Sequence, residues 1–441
     1  MTHIDLQVEQ RFKFLNSSNF IKLYCLFLAG LMMLRNSYPS WRTVWAEDGT
    51  IFFAQLQNTT IYEYLTTPYN GQYLLLTRLF FLPMKFLSIE ILSYYCSVIA
   101  LINYFVLLIL MTILLRNRIP LINLVLILAS IALLPIAGAE SLQNINNLPW
   151  FWLIGWVLFT YLRSSKLDKI NVLYSIFTLV ILMSVPAAFF LFLFSLFIRT
   201  SLNYWKTFKS DLHFYYIFLA CAIGIFQNIY SFKIRVKVPS DIDLTTSLLD
   251  AIYRVVLIPG MGNLTVELGK NGLGWQYFFQ LVLNACFFIF LLSSIGSLFR
   301  ERLHGIPRSS ILAICISMYM ITASGLFVQI KDFTNYYFQF PFAHARYYVT
   351  ASFAVYLLMF ITLNFKSKSI LDIVLRRSII LFCLFVLTIN FSNNPSKAGP
   401  DYPSQARAAV LGCESGTDSY QRVYVSPFNN EWFFDYLCPE N

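Results

Sequence analysis

The chain reads as an all-α, polytopic membrane protein, and three features of its 441 residues lead there. Apolar residues make up 58% and charged ones only 12%, which leaves too little polar surface to cover a body of this size in water. Apolar runs of about 15 to 25 residues, the length a bilayer core asks of a helix, recur from Phe20 to Phe391. Lysines and arginines gather in the short breaks between those runs, where they set orientation. The formal net charge of +10 is therefore read as topology, with no nucleic acid as partner.

Taken as cytoplasmic, the clusters Arg116/Arg118, Arg163/Lys166/Lys169, Arg199/Lys206/Lys209, Arg300/Arg302/Arg308 and Lys366/Lys368/Arg376/Arg377 thread the chain through about eleven spans. These fall near residues 19–34, 91–115, 120–138, 150–162, 170–185, 186–198, 213–231, 275–298, 309–329, 347–364 and 378–391. The first is read as a retained helix, because no small-residue cleavage site follows it before Arg35-Asn36-Ser37-Tyr38. Residues 36–89 then form one long external loop. Within it, Gln72 to Leu87 is apolar enough to cross but short, and it carries Arg78, Pro83 and Lys85. It is laid in the outer interface as a helix, since a crossing would invert every later basic cluster. The acids agree with this threading: Glu47, Asp48, Glu63, Glu140, Asp241, Asp243, Asp250, Glu267 and Asp332 all fall outside. Residues 1–391 thus form the membrane domain and 392–441 a polar external tail ending in Trp432-Phe433-Phe434. Six cysteines lie within spans, while Cys413 and Cys438 stand alone in the tail, either as an external disulfide or as two free thiols.

Chemistry is expected where the acids collect. After the first span comes Trp45-Ala46-Glu47-Asp48-Gly49-Thr50-Ile51-Phe52-Phe53, whose adjacent carboxylates are costly at a bilayer edge unless solvated, paired or bound to a cation. Asp48 could instead be the N-cap of an interfacial helix through Gln57, which accounts for Asp48 but not for Glu47. The second external loop adds Glu140 and carries no Lys or Arg. Approaching Glu47 and Asp48 across a cleft, Glu140 would either share a divalent cation with them or help raise one carboxyl pKa into a range useful for proton transfer. Asn144, Asn146 and Asn147 suit sugar hydroxyls, or simply an Asn-rich turn. The last external loop holds His344, Arg346 and Tyr347. Arg346 either makes paired bonds to a lipid phosphate or snorkels to headgroups beside the tyrosines, and His344 either binds that phosphate or hydrogen-bonds at the interface. Residues 232–274 read as an outer lid, with an amphipathic helix near Leu248 to Ile258 and a second phosphate candidate in Arg254.

An acidic pair in the first external loop, an interfacial helix behind it and an acid in the second loop resemble the GT-C class of membrane glycosyltransferases. The strings Trp45-Ala46-Glu47-Asp48-Gly49, Glu140 with Asn146-Asn147-Leu148-Pro149-Trp150, and Arg346-Tyr347 are most similar to bacterial members, including the O-antigen-modifying, serotype-converting glucosyltransferases that act on lipopolysaccharide. The resemblance runs to about Phe391. It implies a polyprenyl-phosphate-linked hexose such as glucose as donor and a glycan hydroxyl as acceptor. Transfer would invert the anomeric centre on the periplasmic face of the bacterial inner membrane. In that scheme Asp48 is the base with Glu47 the alternate, Glu140 orients the acceptor or holds a metal, and Arg346 meets the departing phosphate. Adjacent acids depart from relatives that separate them by one residue, so the base and any metal stay open. The rivals are a transporter or flippase of lipid-linked sugars, which would place ionisable groups near mid-membrane, and a ligase moving whole glycans from a lipid diphosphate.

Overall fold

Apolar runs of this length satisfy their backbone groups internally as helices, and helix dominates the residues that the computed structural model describes. Those are residues 18–35, 42–44, 47–69, 73–134, 144–162, 168–185, 188, 222, 226, 275–300, 306–329, 349–363, 370–389, 401–415, 419–425 and 433–438. The long helices are α1 (Ser18–Leu34), α5 (Leu92–Leu115), α6 (Leu121–Ala132), α7 (Leu148–Leu162), α8 (Asp168–Ser184), α9 (Trp275–Arg300), α10 (Arg308–Gln329), α11 (Val349–Thr362) and α12 (Ile370–Ile389). Between α1 and α5 lie the short helices α2 (Ala54–Asn58), α3 (Ile61–Thr66) and α4 (Leu75–Phe81). The expected spans at 186–198 and 213–231 fall almost wholly outside the described residues.

Two described stretches, Ile89–Leu115 and Leu281–Leu298, are long and apolar enough to cross a membrane. Four further apolar helices, Asn19–Leu34, Leu121–Ala132, Arg308–Ile321 and Val349–Thr362, are shorter. One boundary moves: α12 begins at Ile370, so Arg376 and Arg377 are helical residues and not part of the preceding break. Arg376 still serves that break, because its guanidinium donates to the Leu363 carbonyl just past the end of α11 (3.4 Å).

Helix α11 is the axle. Every one of its residues is buried, the state suited to a helix that is apolar all round. Helices α6, α7, α9, α10 and α12 pack around it, and α1 lies along α5 and α6. Sparse polar bonds pin these contacts: Trp152 Nε1 donates to Asn103 Oδ1 (2.8 Å), Trp156 Nε1 to Thr178 Oγ1 (3.0 Å), and Asn123 Nδ2 to the Phe360 carbonyl (2.6 Å).

Arginines mark both ends of the bundle. Arg35, buried just after α1, donates to the Ala132 carbonyl at the end of α6 (3.1 Å). Arg118 donates to the Leu162 carbonyl at the end of α7 (2.6 Å). Each places a cation on orphaned C-terminal carbonyls, where the helix dipole is negative. The first pair shows that α1 and α6 finish at one end of the bundle, and the second that α7 finishes beside the α5–α6 turn.

The tail departs from an all-helical reading. Helix α13 (Tyr402–Glu414) leads to an antiparallel hairpin of β1 (Tyr420–Tyr424) and β2 (Phe433–Leu437), with Tyr420 opposite Leu437 and Tyr424 opposite Phe433. Cys413 and Cys438 are joined by a disulfide, clamping the end of α13 to the end of β2. The string Tyr420-Gln421-Arg422-Val423-Tyr424 has no strict apolar–polar alternation, so the strand is not announced by periodicity. This unit is not detached: the buried Tyr402 hydroxyl donates to the Ile89 carbonyl (3.2 Å), and Arg42 pairs with Asp401 (2.7 Å).

Candidate active site

The segment between α1 and α5 folds back on itself through buried cations. A π-helical turn, Asp48–Phe53, runs straight into α2, and Thr60 and Glu63 start α3 with a reciprocal capping box. The stretch expected to form an interfacial helix is instead broken into α4 and a 3-10 turn, Leu82–Phe86, around Pro83. Neither piece is long enough to cross a bilayer.

Arg78 and Lys85 explain why this stretch stays with its neighbours. Arg78 is fully buried. Its guanidinium donates to the Tyr73 carbonyl (2.9 Å), the Tyr64 carbonyl and Gln55 Oε1 (3.1 Å), and lies 4.9 Å from the Tyr64 ring centroid. Lys85 Nζ donates to the carbonyls of Leu56, Gln57 and Thr59 at the end of α2 (2.7, 3.1 and 3.1 Å). Moving either residue to the far side of a membrane would strand all of these acceptors, so the two charges tie residues 75–86 to the side on which α2 and α3 lie.

Asp48 is the centre of the arrangement. The N-cap reading does not hold: Glu47 takes that position and Asp48 is the first residue inside the turn. The two Asp48 oxygens accept the backbone N–H groups of Ile145 (2.9 Å) and Asn146 (3.0 Å), almost a hundred residues further along. Those amides open the 3-10 turn Ile145–Asn147 that continues into α7. Asp48 therefore caps a distant helix, putting its carboxyl on the positive end of the α7 dipole and joining the first inter-helix segment to the second.

The same carboxyl is sealed from water, with 1% of its surface exposed. Burial pushes its pKa up to about 7, a rise that the Asn146 and Ile145 amides oppose and the adjacent Glu47 charge reinforces. Gly49 explains how the seal closes. A β-carbon there would lie 2.8 Å from Val425 Cγ1, 3.2 Å from Val44 Cγ1 and 3.5 Å from Phe434, so only glycine lets the tail approach this closely. Phe434 also packs edge-on against Phe53, with centroids 5.4 Å apart. The second segment thus covers one aspect of the Asp48 turn, and the disulfide-clamped tail covers another.

The remaining expected site residues divide clearly. Glu47 precedes Asp48 and is half-buried. Asn144, Asn146 and Asn147 are all buried, and Asn146 serves Asp48 through its backbone and not its amide. Glu140, His344, Arg346, Tyr347 and Arg254 lie outside the described residues, so the meeting of three carboxylates is not on view. Among the described residues no three His, Cys, Asp or Glu side chains come together. Both Asp48 oxygens accept backbone amides, and each keeps a second lone pair for a proton or another ligand.

Four participants carry no functional signal in the sequence. The Ile145 N–H is a backbone group with no residue-type signal. Gly49 carries no sign of the tail's close approach, and Arg78 and Lys85 read in the sequence only as charges within a stretch too short to cross. Comparisons with protein-family models, curated proteins and solved structures find no match to this chain.

Proposed function

We propose that the chain is a multi-spanning, GT-C-like inverting glycosyltransferase of the bacterial inner membrane. It takes a hexose from polyprenyl phosphate and places it on a glycan hydroxyl, as in O-antigen modification, on the face where Asp48 lies. One observation carries this reading: a sealed carboxyl with a pKa of about 7, held by the second inter-helix segment at the junction that the reading requires for the base. Apolar side chains left exposed on the long helices, among them Leu23, Phe27, Ile113, Leu292 and Leu381, support an apolar solvent around the bundle. The remaining helices of the eleven-span scheme belong to this same proposal.

In the reaction, the acceptor hydroxyl attacks the anomeric carbon while Asp48 takes its proton. The lipid phosphate leaves from the opposite face with the electron pair of the broken C–O bond, which inverts the centre. Each Asp48 oxygen carries a second lone pair beyond the one facing its amide, so a carboxylate can hold its position and still accept a proton. Arg346, with Tyr347, His344 and Arg254 as further phosphate contacts, would meet the growing charge on the leaving group. Glu47 is the alternate base, and Glu140 orients the acceptor.

The test is sugar transfer by purified protein in liposomes holding polyprenyl-phosphate glucose, with glycan acceptors outside. Wild type, Asp48→Asn and Glu47→Gln are compared at matched melting temperature. That match matters because an asparagine amide would turn N–H groups toward one of the two backbone donors and weaken the joint. Loss of transfer in folded Asp48→Asn, with donor still bound, supports the base. Normal turnover in both variants reduces Asp48 to a structural cap, and movement of lipid-linked sugar across the bilayer without transfer favours the transporter.

A further inference from the structure

The tail hairpin has a second face that the seal on Asp48 does not use. Cross-strand partners in an antiparallel pair share a face. The pair Val423 and Phe434 is buried and points inward, toward the Gly49 turn and α13. The flanking pairs, Tyr420 with Leu437, Arg422 with Asp435 and Tyr424 with Phe433, therefore share the outward face. Tyr420 and Leu437 are 48% and 55% exposed, and the Arg422 and Asp435 side chains 45% and 44%.

The chemistry of this face is specific. The Arg422 guanidinium sits 4.0 Å from the Phe433 ring centroid, and the Tyr424 and Phe433 rings meet edge-on at 6.0 Å. Arg422 Nε also donates to Asp435 Oδ1 (3.2 Å). Rigid aromatic surface lies beside a fixed, charge-balanced fork of donors and acceptors. An anionic membrane surface or a phosphate would call for unbalanced positive charge, and here the carboxylate cancels the guanidinium. A neutral ligand with apolar C–H faces and paired hydroxyl groups matches both halves, since pyranose rings stack on aromatics while their hydroxyls bond to carboxylate and guanidinium.

We infer that the outward face of the hairpin, Tyr420, Arg422, Tyr424, Phe433, Asp435 and Leu437, is a docking platform for a neutral oligosaccharide. Its use as an acceptor-glycan site rests on the transferase reading, but sugar binding itself does not. The two strands that carry the platform seat their other face on the Gly49 turn, so a glycan held here is tethered to the unit that covers Asp48. Local concentration of acceptor is what such a tether supplies.

The experiment is saturation-transfer difference NMR on the full chain in detergent, with maltotetraose and cellotetraose as neutral probes and glycerol 1-phosphate as a lipid-headgroup probe. Wild type is compared with a Tyr420→Ser/Arg422→Ser double variant and with Arg407→Ser, an exposed change on α13 away from the platform. The expected result is transfer to the ring protons of a tetrasaccharide, weakened by at least about tenfold in the double variant and unchanged in Arg407→Ser. In preparations that turn over, the double variant raises KM for acceptor and leaves kcat alone. Equal signals from wild type and the double variant at equal melting temperature overturn the inference. So does a wild type that saturates only glycerol 1-phosphate, which would make the face a membrane contact. Because binding is read without turnover, a chain that binds the sugars and never transfers one sinks the transferase reading alone.

Discussion

The helical run from Ile145 to Leu162 carries a charge at each end, and the two ends differ in kind. At the C-terminal end Arg118 donates to Leu162 from a half-buried position. At the N-terminal end Asp48 accepts from Ile145 and Asn146 inside a sealed turn. Both satisfy orphaned backbone groups and both complement the helix dipole. Helix capping alone is served as well by the half-buried form. Enclosure adds cost without adding capping, and its effect is to raise the Asp48 pKa toward neutrality. On the proposed reading, the difference separates a structural charge from one prepared for proton transfer.

The sharpest way to break this comparison is to neutralise each end. Asp48→Asn is expected to cut transfer by about 100- to 10,000-fold, the span of general-base contributions, while Arg118→Gln leaves the rate within about twofold. Radiolabelled sugar transfer in liposomes measures both. Equal losses would mean that the two ends are equivalent after all.

Next in size is the framework that keeps Asp48 enclosed. Arg78→Met leaves the Tyr64 and Tyr73 carbonyls and Gln55 without their donor, so a loss of about 3 kcal/mol or more in unfolding free energy is expected. Reversible unfolding in mixed detergent reads it. Arg118→Gln, at a half-buried site whose glutamine amide can still donate, is expected to cost under about 1 kcal/mol.

The tail seal comes third. Gly49→Ala forces Val425 or the strand behind it to move, at a cost of about 1–3 kcal/mol. Cys413→Ser with Cys438→Ser opens a loop of 25 residues and costs about 2–4 kcal/mol, concentrated in the tail. Hydrogen exchange should show protection lost first in α13 and β2. Uniform loss across the bundle would show that the tail is not the separate cover described.

The same enclosure makes stability depend on pH. The folded Asp48 pKa stands at about 7 against an ordinary 3.8, so between those values the folded chain keeps a proton that the unfolded chain has released. The stability carried by neutral Asp48 is whole below about pH 4, falls as pH rises, and is gone above about pH 7. Melting curves of wild type should slope downward across that window more steeply than those of Asp48→Asn. Equal slopes would show that enclosure does not perturb the group.

How much of this could be read beforehand depends on which atoms carry it. Long apolar runs and their basic breaks pointed to the helices, because hydropathy and length are properties of residue type. Asp48 stands out for the same reason: with Glu47 it puts two adjacent carboxylates at the edge of an apolar span. Its partners did not stand out, because the Ile145 and Asn146 donors are backbone groups that every residue but proline owns. Arg78 looked like a charge to be kept out of a membrane, and only packing reveals that it organises the turn around Tyr64, Tyr73 and Gln55. The hairpin is not legible, because residues 420–424 place Gln421 beside Arg422 and Val423 beside Tyr424 without the alternation that marks a half-buried strand.

The central claim is that Asp48 is the proton acceptor in transfer, and the pH–rate profile of wild type beside the residual activity of Asp48→Asn tests it most directly. The account predicts that the wild-type rate climbs with pH to a plateau, with its midpoint near pH 7, and that this limb disappears in Asp48→Asn. A limb that persists unchanged in the variant, or a wild-type rate flat between about pH 5 and 8, would contradict it.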